Sequence, residues 1–126
     1  MSGFGTVLNQ SKPNAASRIA SAAASVNATS AKATPGDVFR AMGYNAKASV
    51  VYLKIYNKAS APTVGTDTPV LTIPLAASSV FNHDIGGDIG FGLDTGIAYG
   101  FTTDAANNGT TALLAGDILG FTLIYA

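Results

Sequence analysis

Beyond residue 37 the chain alternates apolar and polar positions with a period close to two. The clearest stretch is residues 49–57, where Val51, Leu53 and Ile55 share one side and Val50, Tyr52, Lys54 and Tyr56 the other. That pattern belongs to a strand lying in a sheet, and its β-branched and aromatic residues suit a pleated surface. Leu71, Ile73 and Leu75 align in another strand, and Pro74 within it, lacking an N–H, assigns it to a sheet edge or a strand end. Residues 38–44 and 79–85 read as further strands, the first ended by Asn45. Ile89, Phe91 and Leu93 share one face, and Ile97, Tyr99 and Phe101 alternate next. In residues 118–125, Ile118, Gly120, Thr122 and Ile124 oppose Leu119, Phe121, Leu123 and Tyr125. A strand apolar on both sides belongs at the centre of a sheet or at a subunit contact.

Turn chemistry separates these runs. Pro35-Gly36, the Pro62, Gly65 and Pro69 of residues 58–69, Gly86-Gly87 and the stretch from Asp104 to Gly109 all punctuate the chain. Residues 25–33 read as extended, because Asn27, Thr29 and Ser30 compete with helical hydrogen bonds. The alanines before them allow a short helix within residues 13–25, although Ile19, Ala23 and Val26 make only a thin stripe. Residues 1–17 read as an extended arm with Phe4, Val7 and Leu8 as its sizeable apolar anchors, and residues 18–126 as one domain. About eight short strands without a long helix predict an all-β antiparallel sandwich or barrel.

Composition sharpens this picture. The chain has 126 residues, only 11% of them charged, with seven Lys or Arg balanced by seven acids, and it is 48% hydrophobic. A surface so poor in charge is a solubility risk for a free monomer, so a dimer, a trimer or docking on a larger assembly is expected. Residues 1–58 carry a formal charge of 7 − 1 = +6, and residues 59–126 carry −6. Either the signs mix once the chain folds, or a basic N-terminal region meets an acidic surface. The lysines are scattered without the clustering that a phosphate track requires, so no nucleic-acid partner is expected. No apolar run reaches the length of a membrane span and no secretory signal is visible, which points to synthesis in a cytoplasm.

Chemistry-bearing groups are sparse. There is no Cys, which removes disulfides, thiolate metal sites and cysteine nucleophiles. Ser78 or Ser79 with His83 and Asp84 supply the residue types of a triad, but no nucleophile elbow surrounds the serines. The glycine-rich stretch from Gly86 to Gly92 lacks the Lys-Ser/Thr pair of a phosphate loop. Asp84, Asp88 and Asp94 offer oxygen ligands without a calcium-loop spacing, and they suit turns and strand ends. Tyr44, Tyr52, Tyr56 and Tyr99, read as surface rings, suit either sugar stacking or a subunit interface. Lys54 is placed on the polar-facing side of its strand, its stem covered by Tyr52 and Tyr56. The expectation is a protein without enzymatic activity, cofactor or metal.

Asn27-Ala28-Thr29 with Lys32-Ala33 and Gly36, Gly43-Tyr44-Asn45, and the run from Tyr52 to Asn57 carry a further signal. The loop from Pro62 to Pro69, the segment from Gly92 to Ala98, Ala115-Gly116-Asp117 and Tyr125 add to it. Over residues 25–126 this pattern resembles small virion structural proteins of tailed bacteriophages, in the first place head decoration (cement) proteins. The resemblance implies a jelly-roll-like β-sandwich on the outer capsid surface, made in the bacterial host cytoplasm. Its implied partner is the major capsid protein, with an N-terminal arm reaching over neighbouring subunits. In that setting Phe4, Val7 and Leu8 are the expected clamp, and Lys12 and Arg18 add attraction to an acidic neighbour. Related domains in phage tails and fibres leave a carbohydrate- or receptor-binding role as the alternative.

Overall fold

A computed structural model describes residues 13–126. Among these residues no helix forms, and nine strands build two antiparallel sheets packed as a β-sandwich. They are β1 (Ala15–Ser21), β2 (Thr29–Lys32), β3 (Gly36–Asn45), β4 (Val51–Asn57), β5 (Leu71–Leu75), β6 (Ser79–Asp84), β7 (Phe91–Leu93), β8 (Ile97–Thr102) and β9 (Ile118–Tyr125). Sheet A runs β1-β9-β3-β6, and β7 lies beyond β6 along the same edge of β3; sheet B runs β2-β8-β4-β5. The pairings are nested about the loop between β4 and β5: β4 with β5, β3 with β6 and β7, β2 with β8, and β1 with β9. All-β antiparallel order, the central place of β9 and the edge place of the Pro74 strand match the expectations from sequence.

One element departs from them. The segment where a short helix is allowed forms strand β1, which begins at Ala15 and pairs residue by residue with β9 from Ala15↔Tyr125 to Ser21↔Leu119. Strand β9 is apolar on both sides and lies between two neighbours, so pairing with it outweighs the helical preference of alanine. Just beyond, Asn27 adopts φ 52, and its side chain takes both the N–H and the carbonyl of Ala23, groups a helix would need.

The core lies between the sheets. Val51, Leu53 and Ile55 of β4 point inward with Ile97, Tyr99 and Phe101 of β8, and they meet Val38, Ala41, Phe121 and Leu123 of sheet A. Phe121 joins the two layers: its ring lies 4.9 Å from Phe101, edge-on at 87°, and 5.1 Å from Tyr99. Pairs of this geometry contribute about 0.5–1.5 kcal/mol each beyond area burial.

Two bulges set which side chains face in. Between Met42 and Tyr44 of β3 the partner strand advances from Thr122 to Leu119, one residue more, and Gly120 there takes φ 59. Ile118 therefore faces the core with Phe121 and Leu123, while Leu119 turns out to the surface. Strict alternation would have grouped Ile118 with Thr122 and Ile124. The second bulge, at Phe39 in β3, leaves Val38 in the core and turns Phe39 outward, where the turn over residues 85–90 closes on it: Ile85 and Gly86 donate to its carbonyl.

Candidate functional site

The outer faces of the two sheets differ. On sheet B the outer positions Lys54 and Tyr56 of β4 and Ala98, Gly100 and Thr102 of β8 are buried, and Tyr52, the remaining outer residue of β4, is half-buried. The loops over residues 58–70 and 103–117 cover them. A Cβ on Gly100 would touch Val64, and one on Gly65, at φ +95, would meet the Thr110 methyl, so the two loops also close on each other. Each loop is pinned from within. Lys58 pairs with Asp67, whose carboxylate also accepts from the Thr63 N–H at 2.7 Å, and the bond from Lys58 is the main reason that carboxyl lies below its ordinary range. Asp104 accepts from the Thr111 N–H at 3.0 Å, and bonding to Thr111 lowers it likewise.

Lys54 is therefore not on a solvated side of its strand, as its alternation suggests. It is 0% exposed, and its ammonium donates to the Ala106 carbonyl at 2.6 Å. Burial pushes its pKa down, against a smaller upward pull from Asp104. Tyr56 is 1% exposed with no hydrogen-bond partner for its hydroxyl, and Tyr99 is buried with its hydroxyl 2.7 Å from Ser17 Oγ. Of the four tyrosines read as surface rings, Tyr44 and Tyr52 retain exposure.

Sheet A carries no such cover over most of its outer face. Cross-strand partners line up as Leu119–Tyr44–Val80 over β9, β3 and β6, with exposures of 38%, 38% and 77%. The next row is Arg18–Thr122–Met42–Asn82, and beyond it Ala16–Ile124–Arg40–Asp84. The face is thus mostly uncharged, with Arg18, Arg40, Asp84 and, where β3 meets β7, Asp37 as its charges. Arg40 donates to Asn82 at 2.8 Å. Arg18 is exposed on β1, whereas Phe4, Val7, Leu8 and Lys12 lie outside the described residues.

The remaining candidate chemistry disperses. His83 and Asp84 are successive strand residues and project to opposite faces. Both border, with Leu71, Ile73, Ile85 and Phe91, a mostly apolar cleft of about 290 Å³ between the open edges of the sheets, and the Asp84 carboxylate accepts from the Gly87 N–H. Ser79 Oγ donates to the Ala77 carbonyl. Asp94 accepts from Asn57 at 2.7 Å and is held low chiefly by that bond. It borders an open groove of about 660 Å³ with Lys32, Asp37 and Asn57. Among the described residues no three His, Cys, Asp or Glu side chains gather as metal ligands. The segregated charges of the two chain halves mix on folding: Lys47 pairs with Asp117 at 3.6 Å, Lys58 with Asp67, and Arg40 neighbours Asp84.

Comparison with protein-family models, with curated proteins and with solved structures finds no match.

Proposed function

We propose that this protein is a non-enzymatic structural module that docks on a protein lattice through the outer face of sheet A, as a decoration protein docks on the outer surface of a tailed-phage capsid. The observation that carries this is the asymmetry of the two sheets. The middle of sheet B is covered by its own loops down to a buried lysine, whereas sheet A presents the row Leu119–Tyr44–Val80. In a chain with 11% charged residues, an uncovered apolar row on a sheet face is suited to a protein partner. Burying those three side chains would contribute up to about 1.5–3 kcal/mol for Val80 and roughly a third of that for each of Tyr44 and Leu119, before association costs. The nested strand order reads as a jelly roll, in keeping with the resemblance in residues 25–126. The function is then mechanical: added interface area between neighbouring capsid subunits, favouring the assembled shell by mass action.

A sugar- or receptor-binding role at a tail or fibre keeps only Tyr44 and Tyr52 of its expected rings. The deciding experiment mixes the purified chain with undecorated heads of the tailed phage that carries it and pellets the particles. The native chain should co-sediment to saturation, and a Y44D/V80D variant should not. Failure of the native chain to bind heads, or equal binding by the variant, overturns the proposal.

A further inference from the structure

The two sheets end in four edges, and three of them carry features that block strand addition. Strand β2 is four residues long with a register shift between Ser30 and Lys32. Strand β5 contains Pro74, which offers no N–H. The β6–β7 edge is broken by the turn over residues 85–90, with Gly87 and Gly90 at positive φ and Asp84 and Asp88 beside it. Short length, bulges, proline and charge are the usual guards of a sheet edge. Strand β1 has none of them beyond a single charge. It is seven residues long, free of proline, in unbroken register with β9, and built of three Ala, two Ser, Ile19 and Arg18. Among the described residues no strand pairs with its far side.

We propose that β1 is a homodimer interface, in which two copies pair their β1 strands antiparallel and join both A sheets into one. Chemistry selects the occupant. A row of open backbone donors and acceptors calls for an extended strand, and a second β1 is the one strand of matching length whose antiparallel pairing is isologous and closes at two. Ser17 and Ile19 point into the sandwich, toward Tyr99 and the core, so Ala16, Arg18 and Ala20 stand on the outer face. Their small neighbours let two backbones approach.

Arg18 sets the register. Complete overlap of the two strands would place Arg18 opposite its own copy, and like charges directly opposed are unfavourable. A slip of two residues places each Arg18 over Ala16 or over Ala20 of the other copy, which relieves the repulsion while keeping inward residues inward. The two-fold axis then stands perpendicular to the joined sheet, and both Leu119–Tyr44–Val80 rows face the same side. Pairing would give the docking face two sites for one lattice, and so avidity. This extends the proposed function without depending on it.

Sedimentation equilibrium of the full chain at tens of micromolar tests the pairing. The native chain should be a dimer. An A16K/A20K variant, which sets a lysine against Arg18 in either slipped register, should dissociate at least tenfold more readily with an unchanged circular dichroism spectrum. One of A16D and A20D should tighten the dimer at low salt and so report the register. A native monomer, a trimer, or a dimer unaffected by A16K/A20K overturns the pairing. If the double variant fails to fold, amide exchange in the native chain decides: protection of β1 must rise with concentration, and concentration-independent exchange overturns the proposal. A monomer that still pellets with phage heads sinks the pairing alone, whereas a dimer that ignores heads sinks the docking alone.

Discussion

The ammonium of Lys54 lies beneath the loop between β8 and β9 and donates to the Ala106 carbonyl at 2.6 Å. A lysine on the outside of a sheet is thereby made part of the interior, and burial depresses its pKa from 10.5. Between the depressed folded value and 10.5 the unfolded chain binds more protons, so this group makes stability rise with pH across that window and lowers stability below it. Lys54→Met keeps the stem and removes the charge. Urea unfolding should find this variant at least as stable as the native chain at pH 7, with an advantage that shrinks as pH approaches 10.5. Lys54→Ala, which also loses the packing, should be less stable by about 2–3 kcal/mol.

Ser17 and Tyr99 join the two sheets through a 2.7 Å hydrogen bond between residues 82 apart in the chain. A double-mutant cycle of Ser17→Ala and Tyr99→Phe should give a coupling of about 1 kcal/mol. Burial raises the Tyr99 phenol above its ordinary 10.0, with the bond from Ser17 opposing the rise. Its contribution to stability is present below pH 10 and is lost as pH climbs through the raised folded value. Spectrophotometric titration near 295 nm should show two tyrosines, Tyr56 and Tyr99, that burial makes ionise later than the exposed ones, and Tyr99→Phe should remove one of the two late ionisations.

Gly120 has φ 59 and open space where a Cβ would stand. Its substitution therefore tests backbone conformation without a clash. Gly120→Ala should cost about 1–2 kcal/mol, the price of an L-residue in the left-handed region. Gly120→Asn should cost less, and chemical denaturation of the three chains gives the order directly.

Val80 is 77% exposed, so Val80→Asp should change unfolding free energy by no more than about 0.5 kcal/mol while weakening docking on phage heads. Phe121→Ala, at the meeting point of the aromatic rings, should instead cost about 3–5 kcal/mol. The contrast between the two in one set of melts separates surface from core.

Local periodicity determined most of the strands. Val51, Leu53 and Ile55, or Ile97, Tyr99 and Phe101, need only alternate to declare a buried side, and Pro74 declares an edge because the missing N–H is a property of the residue itself. Turn residues such as Pro35-Gly36 and Gly86-Gly87 act just as locally. Strand β1 was not legible, because Ala15–Ser21 has no strong preference of its own and takes its conformation from pairing with β9, about a hundred residues away. The inward place of Ile118 was hidden for a related reason: the bulge at Gly120 is defined only against β3. Alternation could also assign Lys54, Tyr56 and Ala98 to the side away from the core, but not say what lies over that side. Whether an outer face meets water or a loop depends on where residues 58–70 and 103–117 come to rest, and that is decided by contacts between distant segments such as Gly65 and Thr110. The candidate docking face exists for that same physical reason: strand pattern makes two sheets, and only tertiary packing covers one and leaves the other open.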